Sequence, residues 1–412
     1  MVDTGGVCLF ALLTFYGLLA LTHLFIQINL SHRDYLNSIH HHRRFQSKEI
    51  QNLRTAEYFK FSVAIIIPCY NEGVEDLENC VRSALDQDYP FPYQVILVDD
   101  GSKDKSAVRN IREKFADYDR LVIHEFSHNK GKRHAQKFGF DVVGDSVDIV
   151  ITIDSDTILS RDSVQYIVQP FDDPQVGAAT GNVRAIKKNL LSQLIDARYW
   201  TAFNQERSAQ SLFGTVLCCS GPLAAYRNSL IQQVKEAYIT ERFFGTICTY
   251  GDDRHLTNLI LEKGYTVKYE RKAKAETQVP QHLKPWLRQQ TRWNRSFYRE
   301  LFWTIKRIIL KRRNTQVYML YDLCMQTVLP ILLIPSLLFV SYRSIVESPM
   351  YLIGYLMILV GIAILRGAYA FLRTRDRVFF LFPLYAFCHI FLLIPVRLYA
   401  LCTIRTTKWG TR

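Results

Sequence analysis

The sequence predicts an α/β domain with a doubly wound sheet, joined to an α-helical membrane region. Two observations lead to this fold class. Short runs rich in β-branched residues alternate with helical patterns between residues 61 and 153, as in parallel sheets covered by helices on both faces. Long apolar runs stand near both ends of the chain, and their lengths suit a lipid bilayer.

Within the α/β domain, each strand is defined by a short apolar run and each helix by an amphipathic pattern. The runs FSVAIIIP, QVILV and DIVITI predict buried parallel strands at 61–68, 94–98 and 148–153. The helical patterns between and beside them cover 74–87, 105–115 and 131–143. Sheets of this kind bind ligands beyond the carboxyl ends of their strands, so polar residues at those ends are the candidates for function.

The membrane region is predicted from four apolar runs. Residues 7–30 contain no Asp, Glu, Lys or Arg, and 24 residues are enough to cross a bilayer. A signal peptide is the alternative, but no basic residue precedes the run and no cleavage site closes it. Further runs at 317–340, 350–372 and 378–404 predict a multi-pass protein. Four plain spans would place both termini outside, yet the tail is basic. Either the last run is therefore not a plain span, or a re-entrant segment exists.

Three charged residues, Asp322, Arg366 and Arg397, lie inside the apolar runs. Such charges are costly in lipid and face protein or a wet cavity unless they reach the interface. Snorkelling toward the membrane surface is the simpler interpretation and suits Asp322, near the end of its run. For Arg366 and Arg397, a hydrophilic conduit through the membrane is the alternative.

The net charge of +13 is carried outside the α/β domain. The chain has 51 Lys and Arg against 38 Asp and Glu, but residues 61–267 hold 22 against 28, a net of −6. The cationic excess lies in 31–60, 268–313 and 366–412, beside the apolar runs. This pattern predicts a plasma-membrane protein with its α/β domain in the cytosol, in contact with membrane lipid. It does not favour a nucleic-acid partner, which would require a basic soluble domain.

These patterns divide the chain into six parts. They are an N-terminal transmembrane helix (1–30), a basic juxtamembrane linker (31–60), the α/β domain (61–283), an amphipathic interface helix (284–316), C-terminal transmembrane helices (317–404) and a basic tail (405–412). The linker contains His40-His41-His42, which suggests a solvated turn more than a metal site.

Carboxylates follow each of the three predicted strands. Tyr70 and Glu72 come after the first strand, Asp100 after the second, and Asp154 and Asp156 after the third. Two carboxylates one residue apart at a strand end can share a divalent cation with a diphosphate, because hard cations prefer oxygen ligands. Each motif alone could also be a turn or a helix cap. All three together predict a nucleotide-diphosphate site.

Three later segments add chemistry. Gly131 opens a helix beside Lys132, where the helix N-terminus and cations favour an anion, although a solvated basic turn is the alternative. Asp252 and Asp253 begin another helix and are either caps or a general base. The segment 284–313 alternates aromatic residues with Arg and Lys, which indicates an amphipathic helix on the membrane surface.

The ordered motifs resemble the processive family-two glycosyltransferases of the GT-A fold, and within them the hyaluronan synthases, over residues 60–412. The stretches that carry the resemblance are VDDGS (98–102), NKGKRHA (129–135), TIDSDT (152–157), CSGPLAAYR (219–227), YGDDRHLTN (250–258), QQTRWNRSFYRE (289–300) and LCTIRTTKWGTR (401–412). The Asp-x-Asp and Gln-x-x-Arg-Trp patterns alone would also fit cellulose and chitin synthases. The two longest stretches are more specific.

The resemblance implies a role for each matching residue. Uridine contacts fall to Tyr70, Glu72 and Asp100, and the donor nucleotide also to Asp154, Lys132 and Gln289. Asp156, with Asp154, would hold Mg²⁺ or Mn²⁺. The catalytic set would be Asp253 as the base, with Asp252, Arg292 and Trp293. The acceptor site would be lined by Ser220, Gly221, Pro222, Cys248 and Trp293.

The activity implied is the processive, inverting polymerisation of hyaluronan from UDP-glucuronate and UDP-N-acetylglucosamine, with export of the growing polysaccharide. A chitin or chitin-oligosaccharide synthase that uses UDP-N-acetylglucosamine alone is the alternative within the enzyme class. A non-catalytic polysaccharide transporter with a degenerate transferase domain is the alternative from another class. The complete set of acidic and cationic positions argues against it.

Overall fold

The computed structural model describes residues 4–52, 61–311 and 316–407, with side chains described at 15–40, 61–311 and 317–407. Its strands are β1 (Val63–Cys69), β2 (Tyr93–Asp99), β3 (Leu121–Glu125), β4 (Ile149–Thr152), β5 (Thr157–Leu159), β6 (Val176–Ala185), β7 (Ala224–Arg227), β8 (Arg242–Phe243), β9 (Thr246–Ile247) and β10 (Thr266–Thr277).

The helices are α1 (Thr4–Asn52), α2 (Val74–Leu85), α3 (Ser106–Lys114), α4 (Lys132–Val143), α5 (Ser163–Ile167), α6 (Leu190–Thr201), α7 (Ser208–Leu212), α8 (Asn228–Ile239), α9 (Asp252–Glu262), α10 (Leu283–Arg307), α11 (Gln316–Val346), α12 (Met350–Thr374), α13 (Phe382–Cys388) and α14 (Ile394–Cys402). Two π-helical segments, Ala202–Arg207 and His389–Leu393, join α6 to α7 and α13 to α14. Short 3₁₀ turns occupy Gln169–Asp172, Ile309–Lys311 and Arg377–Leu381.

Eight strands form one mixed sheet in the order β3-β2-β1-β4-β7-β6-β10-β5. The predicted strands correspond to β1, β2 and β4, which pair in parallel and are almost wholly buried. The other half of the sheet was not predicted. It contains β7, antiparallel to both its neighbours, and β10, whose sequence TVKYERKAKAET is too charged to indicate a buried strand.

The core of the α/β domain fixes where the strand ends lie. Helix α4 packs on β1 so closely that a Cβ at Gly139 would stand 2.7 Å from Cγ2 of Ile66. Parallel pairing of β1 with β2 and β4 brings Cys69, Asp99 and Thr152 to one edge of the sheet. The residues that follow these strands therefore meet at that edge, as the sequence predicts.

The N-terminal helix is longer than the predicted span. Helix α1 continues to Asn52, so residues 31–52 of the predicted linker are helical, whereas 53–60 lie outside the described residues. Its inner face contacts α12, where the Ser31 and Tyr369 hydroxyls lie 3.1 Å apart. Within the His40–His42 run, His40 is exposed and the other two side chains lie outside the described part.

Within the described residues, three helical segments are long and apolar enough to cross a membrane: Val317–Val346, Met350–Thr374 and Arg377–Cys402. They confirm the three predicted C-terminal apolar runs. The first predicted span, 7–30, lies in α1, but its side chains are described only from residue 15.

The last of these segments contacts the α/β side of the molecule next to both its ends. Asp376, just before this segment, forms an ion pair with Lys187 at 3.0 Å. Thr403, just after it, accepts a hydrogen bond from Arg295 of α10 at 2.8 Å. Between them, Ile390 packs with apolar residues of α11 and α12. The described part of the tail also contacts the α/β domain, where the Thr406 and Thr407 carbonyls accept hydrogen bonds from Tyr250 and Thr249. The course of this segment through the membrane stays a prediction.

The charged residues in the apolar runs are enclosed by protein. Asp322 is fully buried and accepts hydrogen bonds from Gln210 and Gln326, both at 2.7 Å, so the snorkelling interpretation is wrong for it. Arg397 donates to the Gln326 carbonyl at 2.6 Å and so ties α14 to α11. Arg366 has a buried Nε without a hydrogen-bond partner among the described residues.

Candidate active site

A cavity of about 1100 Å³ opens at the carboxyl ends of β1 and β4, between the α/β domain and α10. Thirteen of the sequence-predicted site residues line it, from seven separate parts of the chain. They are Tyr70, Asp100, Lys132, Asp154, Asp156, Ser220, Gly221, Pro222, Asp252, Asp253, Gln289, Arg292 and Trp293. The remaining two, Glu72 and Cys248, do not line this cavity.

Lys132 contacts residues from two other predicted motifs. It begins α4, after Gly131 with a φ of +99°, a backbone angle that favours glycine. Its Nζ lies 2.6 Å from Oδ1 of Asp154 and 2.9 Å from Oδ2 of Asp252. Burial opposes the ammonium charge, but the two carboxylates outweigh it and hold the pKa of Lys132 well above its usual value. One cation therefore links a strand end to the start of α9.

Asp100 organises the loop that presents Lys132. Its carboxylate accepts hydrogen bonds from the Asn129 side chain at 2.9 Å and from the backbone N–H groups of Lys130 and Gly131 at 2.7 and 2.8 Å. Burial raises the pKa of this carboxyl even though these donors lower it. The loop passes so close to the second strand end that a Cβ at Gly101 would stand 2.6 Å from Asn129 N.

The Asp154–Asp156 pair offers oxygen ligands at the third strand end. Asp156 accepts a hydrogen bond from the Thr277 hydroxyl at 3.1 Å, and Asp154 faces Lys132. Glu72 lies behind the pair and accepts a 2.6 Å hydrogen bond from Ser155. The carboxylate oxygens of Asp154 and Asp156, beside the Lys132 ammonium group, are the type of ligand that suits a hard divalent cation.

Asp252 and Asp253 open α9 and differ in environment. Gly251, at φ +83°, turns the chain into the helix against Ser296 of α10. Burial disfavours the Asp252 carboxylate, but Lys132 and then Arg133 outweigh it and lower the Asp252 pKa. Burial, and then the neighbouring Asp252 charge, raises the Asp253 pKa. A carboxylate with a raised pKa is the better proton acceptor near neutral pH.

Helix α10 brings a cation and an aromatic ring to the opposite wall. Arg292 lies in a buried position that lowers its pKa, although a guanidinium stays charged. The Trp293 side chain is 39% exposed and its ring centroid lies 6.4 Å from that of Tyr199. The helix is amphipathic, as predicted, and residues 295–300 are buried, partly against α14, whose Arg397 donates to the Tyr298 hydroxyl. Its position on a membrane surface stays a prediction.

Several lining residues were not predicted. They come mainly from α6 and the π-helical segment that follows it, where the sequence has no motif, and they are Arg198, Tyr199, Phe203, Glu206, Arg207 and Arg254. Of these, only Arg254 could have been found from the sequence, because it directly follows the paired aspartates. Arg198 and Glu206 form an ion pair at 2.8 Å.

Cys248 is buried behind the cavity rather than in its wall. Its side chain is 2% exposed, and burial followed by the Glu241 charge raises its pKa to about 12. Glu241 belongs to a buried network with His255 of α9 and Glu300 of α10. Arg133 pairs with Glu241 at 2.6 Å, so the network ties α4, α9 and α10 together behind the catalytic wall.

The chain was compared with known proteins. The family model Glycosyl transferase family 2 matches residues 64–235. Hyaluronan synthase of Streptococcus pyogenes is 37% identical over 403 residues, covering 96% of this chain and 90% of that protein. N-acetylglucosaminyltransferase of Mesorhizobium japonicum is 38% identical over 353 residues, covering 85% and 82%.

A solved structure shares the fold. A mannosyltransferase from Pyrobaculum calidifontis, in complex with GDP-Man and Mn²⁺, aligns with a TM-score of 0.58 at 21% identity, over 89% of this chain and 97% of that one. Together with the membrane-capable helices and the full-length relatives, these matches identify a membrane-bound enzyme with a GT-A-like transferase domain. The chain belongs to the hyaluronan synthase family of the family-two glycosyltransferases.

Proposed function

We propose that the protein is a processive, inverting glycosyltransferase that polymerises hyaluronan from UDP-glucuronate and UDP-N-acetylglucosamine. The observation that carries the proposal is the position of Lys132, whose ammonium group joins Asp154 to Asp252. It brings the residues suited to a nucleotide diphosphate and those suited to proton transfer into one cavity. The cavity is large enough for a nucleotide sugar and a sugar acceptor together.

The donor end of the cavity is proposed at the strand ends. Tyr70 and Asp100 would contact the uridine side, with Glu72 supporting from behind Ser155. Asp154 and Asp156 would hold Mg²⁺ or Mn²⁺, which neutralises charge on the leaving diphosphate when bound. Gln289 faces the same space, with its buried Oε1 lacking a hydrogen-bond partner among the described residues.

The proposed reaction is an in-line displacement at the anomeric carbon. Asp253 accepts the proton of the acceptor hydroxyl as the new glycosidic bond forms and the bond to UDP breaks. Lys132 and Arg292 stabilise the charge that develops on the UDP leaving group. A single displacement inverts the α-linked donor to a β-linked product.

The acceptor end is proposed near Trp293. Its exposed ring, beside Tyr199, offers an apolar face on which a sugar ring can stack. Ser220, Gly221 and Pro222 border the cavity between this ring and Asp154. Cys248 would act only from behind the wall, because it is buried there.

Charge favours an acidic polymer over an uncharged one. Arg207 and Arg254 line the cavity, and neither forms an ion pair with a carboxylate among the described side chains. Two such cations, besides the pair assigned to the diphosphate, suit the carboxylate of glucuronate. The alternative is a chitin-type synthase, which the similarity to an N-acetylglucosaminyltransferase favours at nearly equal identity.

We further propose a multi-pass plasma-membrane location with the catalytic domain in the cytosol and the polymer exported through the membrane. Cationic segments flank the apolar runs on the side of the α/β domain. The catalytic cavity also extends past Glu206 and Gln210 to Gln326 of α11, which offers a polar route toward the membrane region.

Purified enzyme tests the product. Each labelled donor is supplied singly and then both together, and polymer is digested with a hyaluronan-specific lyase. Hyaluronan synthesis requires both donors and gives lyase-sensitive product. Polymer from UDP-N-acetylglucosamine alone, with no gain from UDP-glucuronate and no lyase sensitivity, would establish the chitin-type alternative instead.

A further inference from the structure

A second cavity, of about 470 Å³, lies between α1, the end of α12 and strands β6 and β10. We call it the basic pocket, because its wall has five cationic side chains and no carboxylate. The five are Arg184, Arg271, Lys272, Lys274 and Arg373. A wall with cations of one sign predicts an anionic occupant.

The ends of two apolar runs would place the basic pocket near the lipid headgroups. Tyr35 of α1 follows the end of the first apolar run at Leu30 by five residues, about 7 Å along a helix. Arg373 lies in the last turn of α12, and its guanidinium carbon is 3.5 Å from the centroid of the Tyr35 ring. The polar layer of a bilayer extends about 5–7 Å beyond the hydrocarbon core on each side, so both residues lie within it.

Part of this charge has no counter-ion among the described residues. Arg184 is paired with Asp196, and Arg271 lies 3.5 Å from Asp34. Lys272, Lys274 and Arg373 form no ion pair with any carboxylate among the described side chains. The Arg271 Nε is also buried without a hydrogen-bond partner there. Lys272 and Arg373 contact aromatic rings instead of carboxylates, those of Tyr166 and Tyr35. The charge of Lys272, Lys274 and Arg373 is therefore not neutralised by a carboxylate among the described side chains.

The chemistry of the wall points to a phosphate group. Guanidinium groups bind phosphate oxygens through paired N–H donors, and lysine ammonium groups add point charges. Trp200 and Tyr35 supply the amphipathic rings that are common at the headgroup level. Leu372, next to Arg373, is 64% exposed and offers an apolar surface to an acyl chain.

We propose that the basic pocket binds the phosphate headgroup of an anionic phospholipid from the leaflet that faces the catalytic domain. Free phosphate shares the headgroup chemistry but lacks the acyl chains that the exposed apolar faces of α1 and α12 would hold. The occupant would touch the back of the active-site wall. Trp200 and Asn204 line the basic pocket, whereas their chain neighbours Tyr199 and Phe203 line the catalytic cavity.

The test measures lipid binding and is independent of the proposed reaction. Full-length protein is placed in phosphatidylcholine nanodiscs with increasing fractions of phosphatidylglycerol, and bound lipid is counted by native mass spectrometry. The variant carries Lys272→Gln, Lys274→Gln and Arg373→Gln. Its control carries Arg109→Gln, Arg161→Gln and Lys263→Gln, which remove the same charge from exposed positions elsewhere.

We expect the pocket variant to bind phosphatidylglycerol at least about tenfold more weakly than the control, because each cation near an anionic surface contributes about fivefold. Equal binding by the two variants would overturn the proposal. Inorganic phosphate that displaces the lipid at matched concentration would overturn the lipid assignment and leave a soluble anion. If the triple variant fails to fold, the exposed single change Lys274→Gln against Arg109→Gln decides the same question, with an expected loss of about threefold to fivefold.

Discussion

The two cavities lie on opposite sides of the same helical segment, 190–207, yet they handle charge differently. In the catalytic cavity, Lys132 is held between Asp154 and Asp252, so the cation at its centre already has two counter-ions. In the basic pocket, Lys274 and Arg373 have no carboxylate partner among the described residues. A catalytic site must exchange partners as substrate arrives and product leaves, and internal counter-ions lower the cost of the empty state. A site with cations alone suits an anion that stays bound.

The largest effect is expected from removing the proposed base. Asp253→Asn keeps the shape but cannot accept a proton, so UDP release with both donors should fall by about 10²–10⁴-fold. Asp145→Asn, an exposed carboxylate with no hydrogen bond among the described residues, should leave the rate unchanged. Unchanged UDP release in Asp253→Asn would remove the base assignment and favour the non-catalytic transporter.

The next effect tests the cation opposite the carboxylates. Arg292→Lys keeps the charge but loses the planar fork that can hold two diphosphate oxygens. The kcat for UDP release should fall by about 10²-fold, in the range for one lost electrostatic donor. Arg288→Lys, one turn earlier on α10 and exposed, is the matched control. Equal rates in the two variants would place the diphosphate away from Arg292.

A smaller effect is expected from crowding the carboxylate side of the cavity. A Cβ at Gly221 would stand 2.8 Å from Oδ2 of Asp154, so Gly221→Ala must push that carboxylate or the backbone aside. We expect the KM for both donors to rise about tenfold, because misplacement of about 1 Å is costly in a preorganised site. Gly354→Ala in α12, where a new Cβ meets nothing within 4 Å, is the control. A KM that stays at the control value would argue that Asp154 is not at the donor site.

The side of the catalytic cavity formed by the strand ends could be predicted from the sequence. Three apolar runs identified β1, β2 and β4, and the carboxylates that follow them meet as parallel pairing requires. The family and the enzyme class, predicted from the same motifs, are confirmed by the full-length relatives. The individual roles of the site residues stay predictions.

The wall shared by the two cavities could not be predicted in this way. It is formed by α6 and a π-helical segment, whose side chains follow neither a helical nor a strand period cleanly. Strand β10 supplies three cations to the basic pocket, but a run of charged residues is typical of a solvated segment. Only the tertiary pairing of β10 with β6 turns those cations toward α12.

The position of the last apolar segment relative to the α/β domain could not be predicted from hydropathy. It depends on the contacts at the two ends of the segment. Composition predicts a span, and the segment is indeed long and apolar enough. The bonds of Asp376 to Lys187 and of Thr403 to Arg295 place both ends beside the α/β domain. Hydropathy does not distinguish a re-entrant segment from a crossing one, because both bury apolar side chains.

The smallest effect concerns pH and sharpens the contrast between paired and free charge. Burial, and then the Asp252 charge, raises the Asp253 pKa, so the proposed base becomes protonated at a higher pH than an exposed aspartate. The kcat/KM should therefore fall as the pH decreases through this raised pKa, and it should reach its maximum above that pKa. Asp252→Asn removes the second cause but not the first, so the acidic limb should move to lower pH, whatever the change in absolute rate. The pH dependence of UDP release in the two proteins measures the shift. A limb that stays in place, or moves to higher pH, would mean that Asp253 is not the group whose protonation stops the reaction.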